Sequence, residues 1–215
     1  MNAEGMLVYP ELIGILCWAV DIGRVDILLE VSLLSSQLSI PHVGHLQAVY
    51  RVFGYLNKLP KRKLYFDPRK PMISEDRLQK FDCEDLLPGA CNPIPLDMTR
   101  PRGNSVSTHC FVEAKHAGDK TTRKSMTGIL IFCNRVSIIW NIKRKQIVEM
   151  SLFGSEFTAM KNSIELIAAL QYKLRILGSP LMDQLTFSVT MRQYIRMHQR
   201  PDLRSGRNTI LYRIT

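Results

Sequence analysis

The sequence predicts an α/β protein led by a small helical segment, and three observations predict it. Apolar residues between 9 and 58 recur at spacings of three and four, residues 105–189 mix β-rich runs with one long helical stripe, and residues 59–104 concentrate proline between them. At 215 residues and 46% hydrophobic, the chain has enough apolar surface to bury a core in one or two domains and too much for disorder.

The helical segment comes first. Leu12, Ile13, Leu16 and Val20 mark one helix face, Ile27, Leu28, Val31 and Leu34 a second, and Leu46, Val49, Val52, Phe53 and Leu56 a third. Pro10 suits a first helical turn, where its missing N–H costs nothing, and Pro41 breaks the second helix from the third. Residues 59–104 follow with Pro60, Pro68, Pro71, Pro88, Pro93, Pro95 and Pro101, which read as a connection holding one short strand or helix.

From residue 105 the period changes. Val106, Thr108, Cys110 and Val112 alternate along a strand ending near Glu113, and two β-rich runs, Thr127–Cys133 and Val136–Ile142, flank an Asn134-Arg135 hairpin turn. A helix from Leu152 to Leu177 is expected to bury a stripe at Phe153, Phe157, Met160, Ile164, Ile167 and Leu174. Ser151 caps it, and Gly178 with Pro180 ends it. Thr186–Val189 makes a fourth strand, and the Arg-rich tail, residues 191–215, carries no clear pattern.

A net charge of +10 favours a polyanionic partner. Cys17, Cys83, Cys91, Cys110 and Cys133 are odd in number and never spaced as C-x-x-C, so neither a disulfide framework nor a zinc site is expected. His42 and His45, three residues apart, lack a third ligand nearby and read as helix residues. The apolar runs Leu7–Val20 and Ile27–Ile40 fall short of a bilayer span, and no basic residue precedes Arg24 as a signal peptide would need. An intracellular protein, cytoplasmic or nuclear, without membrane or small-molecule partner is expected.

Several stretches, in order, resemble the Pol polyprotein of copia-type LTR retrotransposons. In the helical segment these are Gly23-Arg24-Val25-Asp26-Ile27, Leu34-Ser35, Pro41, His45 and Tyr55-Leu56. Further on, Phe111 to Asp119 is similar to "F-V-D-A-D-x-A-G-D", Thr122 to Gly128 to "T-R-R-S-x-T-G", and Trp140, Lys143 to Gln146 and Ser155-Glu156 to "W-x-S-K-K-Q … S-x-E". The resemblance implies a C-terminal piece of that polyprotein. Residues 1–58 would derive from the reverse-transcriptase thumb and connection, 59–104 would be a proline-rich connection, 105–190 a ribonuclease H-like mixed sheet with packed helices, and 191–215 a degenerate basic tail. No paired aspartates like those of a polymerase palm occur here, and the palm is expected upstream of Met1.

Ribonuclease H chemistry in the intact family uses Mg²⁺, held by converging carboxylates with little geometric tolerance. The resemblance places Glu113 where the first strand carries Asp, and Glu156 at the helix carboxylate. One added methylene moves a carboxylate by up to ~1.5 Å, and ~1 Å of misplacement can cost ~100-fold in rate. Lys115 stands at the second acid of "D-A-D", and Val189 where the fourth strand ends in Asp. A cation beside Glu113 repels a divalent metal, and valine cannot ligate one. No bound metal or other cofactor is therefore expected, and the plain reading of Glu113 and Glu156 is an ion pair with Lys115. Arg123, Lys124, Lys143, Arg144 and Lys145 are expected along the phosphates of an RNA–DNA hybrid or duplex. Three readings stay open: an inactive remnant, a weak Mg²⁺-dependent ribonuclease H, and a non-catalytic interaction protein.

Overall fold

The computed structural model describes residues 2–62, 64–70, 78–81, 97–119, 122–189 and 210–214. Half of the proline-rich connection, with Cys83 and Cys91, and the tail up to residue 209 lie outside them. The chain divides into two compact units, one formed by residues 1–65 with 142–144 and the other by the rest.

The first unit is helical. Helices α1 (Ala3–Asp21), α2 (Leu28–Ser35) and α3 (Val43–Lys58) are joined through a 3₁₀ turn at Val25–Ile27. Helix α1 starts a full two turns before Pro10, because Asn2 caps it by accepting a hydrogen bond from the Gly5 amide at 3.0 Å. Pro10 therefore lies inside the helix and not in its first turn, at the cost of one backbone hydrogen bond. Tyr9, Ile13, Leu16 and Val20 of α1 are buried with Ile27, Val31, Leu34, Val49 and Val52. The Tyr9 hydroxyl donates to the Leu34 carbonyl at 2.8 Å, and burial pushes its pKa up. Tyr9→Phe keeps the ring and loses that bond, so a loss of about 1 kcal/mol is expected in chemical denaturation. A variant as stable as the parent would deny the bond any weight. His42 and His45 close the start of α3, the His42 amide donating to His45 Nδ1 at 3.1 Å.

The second unit is built on a mixed sheet. Strands β1 (Leu78–Phe81), β2 (Val106–Lys115), β3 (Met126–Cys133), β4 (Val136–Arg144), β5 (Leu181–Val189) and β6 (Ile210–Ile214) lie in the order β1-β6-β5-β2-β3-β4. β2 is antiparallel to β3 and parallel to β5, as the crossover through helix α4 (Leu152–Ile176) requires. β5 is antiparallel to β6, a strand within the tail that showed no pattern in the sequence. The hairpin turn falls on Asn134-Arg135, with Asn134 at φ 54°, a conformation asparagine tolerates.

Helix α4 packs on β2 and β3 through a core of Cys110, Val112, Ile129, Ile131, Ala159 and Ile167. The expected stripe is corrected here. Of the expected residues, Ile167 is buried in this core and Met160 packs against it, whereas Phe153, Phe157 and Ile164 are exposed and Ser155, Ala159 and Ser163 are buried in their place. Ser151 caps the helix as expected, its Oγ accepting from the Gly154 amide at 3.0 Å. Gly178 ends it at φ 73°, where a side chain would also press on the Arg100 carbonyl. Among the described residues no helix is long and apolar enough to cross a membrane.

Candidate functional site

The end of the sheet where β2 and β5 stop and α4 starts gathers the stretches that the sequence singled out. β2 ends in Glu113, Ala114 and Lys115, and the alternation of a strand places Glu113 and Lys115 on one face; both are exposed. β5 ends at Val189, whose backbone is in register with Val112, one residue before Glu113. Glu156 is the fifth residue of α4 and only 3% exposed.

A buried hydrogen-bond network that sequence reasoning missed ties these elements together. The Ser155 hydroxyl lies 2.9 Å from the Ser125 hydroxyl and 2.9 Å from His116 Nδ1. The Ala117 amide donates to Ser125 Oγ at 3.2 Å, and the Lys145 amide to the Ser125 carbonyl at 2.8 Å. Ser125 and Ser155 are fully buried, so their hydroxyls hold the elements together and are not placed to attack a substrate. The only hint in the sequence was a pair of serines, Ser125 and Ser155, each beside an otherwise apolar run. A hydroxyl there must find a partner inside the protein.

Lys145, expected with its neighbours on a phosphate-facing surface, instead turns inward. Its ammonium donates to Glu149 Oε1 at 2.7 Å and to the Ser155 carbonyl at 2.9 Å, with both side chains of the pair under a tenth exposed. Burial alone would raise the Glu149 pKa; the hydrogen bond from Lys145, with those of Ser155 and Thr158, outweighs it and holds the carboxyl below its usual range. Arg123 and Lys143 are exposed and Lys124 and Arg144 half-buried. Arg123 and Lys124 precede β3, in a turn closed by Thr122 Oγ1 donating to Asp119 at 2.6 Å. Lys143 and Arg144 end β4.

This surrounding frame is made by the motif stretches themselves. His116 comes from the Phe111–Asp119 stretch, Ser125 from Thr122–Gly128, Lys145 from Lys143–Gln146, and Ser155 sits beside Glu156. Separated in sequence, they meet within hydrogen-bond distance. A retrovirus-related Pol polyprotein from transposon RE1 of Arabidopsis thaliana is 24% identical over 140 residues. The chain is related to a transposon Pol polyprotein. The matched stretch is 65% of this chain and 7% of that polyprotein. No family model matches the chain, and no solved structure matches it.

As a metal site the arrangement does not fit Mg²⁺. Glu113 and Glu156 supply two carboxylates, Lys115 adds a positive charge on the face of Glu113, and Val189 offers no oxygen donor in its side chain. Among the described residues no three His, Cys, Asp or Glu side chains are grouped as a metal site would need.

Proposed function

We propose that this chain is a ribonuclease H-like protein derived from a copia-type retroelement, whose nuclease site is incompetent and whose remaining activity is sequence-independent binding of nucleic acid. The fold part rests on topology. A strand, a hairpin, a helix and a parallel strand, in the sheet order β4-β3-β2-β5, suit the ribonuclease H arrangement that the motifs resemble.

One observation carries the loss of catalysis. The parallel strand beside β2 ends in valine, in register with the residue before Glu113, so among the described residues it brings no third acid, which a two-metal hydrolysis requires, to that end of the sheet. The binding part is supported by the net charge of +10 and by the exposed Arg123 and Lys143. Lys145 is left out of that set, because exposing its ammonium to phosphate would leave the Glu149 carboxylate buried without its cation.

Cleavage of the RNA strand of an RNA–DNA hybrid in Mg²⁺ and in Mn²⁺ is the test. No cleavage above the rate of a Glu156→Gln control is the expected result. Metal-dependent cleavage that Glu156→Gln abolishes would overturn the proposal in favour of a weak ribonuclease H; cleavage unchanged by that substitution would come from a contaminant, and repurification would remove it.

A further inference from the structure

The opposite end of the same sheet carries a second basic surface that the nuclease resemblance does not account for. Ser107 and Glu113 are six residues apart on β2, which at the rise of a strand is about 20 Å. Around Ser107, three loops and the end of α4 are laced together. The Asn134 amide donates to the Ser107 carbonyl at 2.8 Å, and Asn134 Nδ2 to the Pro68 carbonyl at 2.9 Å. Arg135 Nε donates to the Lys70 carbonyl at 3.2 Å, Lys70 Nζ to Ser105 Oγ at 3.0 Å, and the Arg102 amide to the Gly178 carbonyl at 2.8 Å.

These loops bring Arg69, Lys70, Arg100, Arg102 and Arg135 to one end of the unit. Among the described residues of these loops Asp67 and the exposed Asp97 are the acids, and Asp67 bonds Arg69 at 2.8 Å and Arg135 at 3.3 Å. The hydrogen bonds from Arg69, more than that from Arg135, hold its carboxyl well below the usual range, so it stays ionised and fixes both guanidiniums. Two carboxylates against five cations leave the described part of these loops positive. The plain alternative is that the cations offset the carbonyl end of α4, but Lys173 and Arg175 already occupy its last turn. What that alternative leaves unexplained is Phe66. Its ring, next to Asp67, is 74% exposed and contributes little to the core.

A fixed basic surface beside an exposed aromatic ring fits a single strand better than a duplex. An unpaired base offers a face for stacking, while a duplex presents edges and phosphates alone. We propose that this turn end of the sheet binds single-stranded nucleic acid, with Arg100, Arg102 and Arg135 on phosphates and Phe66 stacked on a base. The inference shares with the proposed function the idea of a nucleic-acid partner, but it assigns a separate surface and stands apart from the fate of the nuclease site.

The experiment is fluorescence anisotropy of the full chain with a labelled oligothymidylate and with a duplex, over a range of salt. Phe66→Ala is expected to weaken single-strand binding roughly tenfold, leaving duplex binding and the salt dependence unchanged. Arg100→Glu with Arg102→Glu should lower the single-strand salt slope by about 1.4, or ~0.7 per lost phosphate contact. All three side chains are exposed, so thermal melts should match the parent's, and Phe66→Tyr should restore binding. If both variants bind like the parent while Arg123→Ala with Lys124→Ala does not, the turn-end surface is overturned and the binding under the proposed function stands. Equal losses on single strand and duplex with Phe66→Ala would overturn the stacking. A parent that binds neither probe would overturn both.

Discussion

Lys145→Ala is expected to destabilise the α/β unit by about 3–5 kcal/mol, the usual consequence of removing one partner from a buried ion pair. That is a large share of the roughly 5–15 kcal/mol that holds a domain folded. The reason lies in what remains behind. The Glu149 carboxylate is 9% exposed and faces the Lys145 ammonium at 2.7 Å. Alanine removes the cation, leaves the acid in place, and also strips a donor from the Ser155 carbonyl, which Lys145 holds at 2.9 Å.

The sign of the pH dependence separates this account from a simple packing loss. In the parent, the Glu149 pKa is held below its unfolded value, so its contribution is complete above the ordinary glutamate range and fades as the pH falls through the depressed value. In Lys145→Ala, burial is opposed only by the Ser155 and Thr158 hydrogen bonds, so the pKa rises relative to the parent's and the ionised form loses stabilisation. Denaturant titrations should therefore show the larger deficit at pH 7 and a smaller one near pH 4.5. Lys145→Met with Glu149→Leu, which removes both charges, should recover most of the stability. A deficit below about 0.5 kcal/mol, or one equal at both pH values, would mean that the pair contributes nothing as a pair.

The sequence announced elements better than faces. The hairpin was legible because two β-rich runs flank Asn134-Arg135, and turn chemistry acts within two residues. Both ends of α4 were legible for the same reason, since Ser151 and Gly178 act locally. Which side of α4 faces the sheet was legible only at Met160 and Ile167. Phe153, Phe157 and Ile164 form the more apolar stripe, yet Ser155, Ala159 and Ser163 are the buried ones. Small side chains let the helix backbone approach β2, where Cys110 and Val112 already fill the space, and close packing there outweighs the transfer of larger rings. Lys145 was misread for a related reason. Within Lys143-Arg144-Lys145 the three cations look alike, and only the placement of Glu149 in the loop before α4 singles one out. At the candidate site the residue types were readable from motif order, but the network among His116, Ser125 and Ser155 joins residues up to 39 apart and left no periodic trace.

Glu113→Asp, Lys115→Asp and Val189→Asp combined are expected to create a response to Mg²⁺ that the parent lacks. Each change answers a separate physical defect. Shortening Glu113 withdraws its carboxylate by about one C–C bond, ~1.5 Å, toward the strand. Replacing Lys115 removes the cation from the face of Glu113 and supplies an acid instead. Val189→Asp adds a carboxylate at the end of β5, one register step from Glu113. Mg²⁺ gives up its waters reluctantly, so two acids with a lysine on the face of Glu113 should not hold it, whereas three or four acids at this end of the sheet should. For a site filled at ten to a hundred times its dissociation constant, the folded state gains about 1–3 kcal/mol, and the melting temperature should rise by roughly 2–15 °C. Val189→Asp alone should give no such rise, because Lys115 still repels the ion and Glu113 is still too long. Thermal melts with and without Mg²⁺, backed by calorimetry, distinguish these cases. A triple variant that folds and still ignores Mg²⁺ would show that Val189 does not occupy the position of the missing acid, and the single variant responding as strongly as the triple would show that Lys115 and Glu113 are not defects at all.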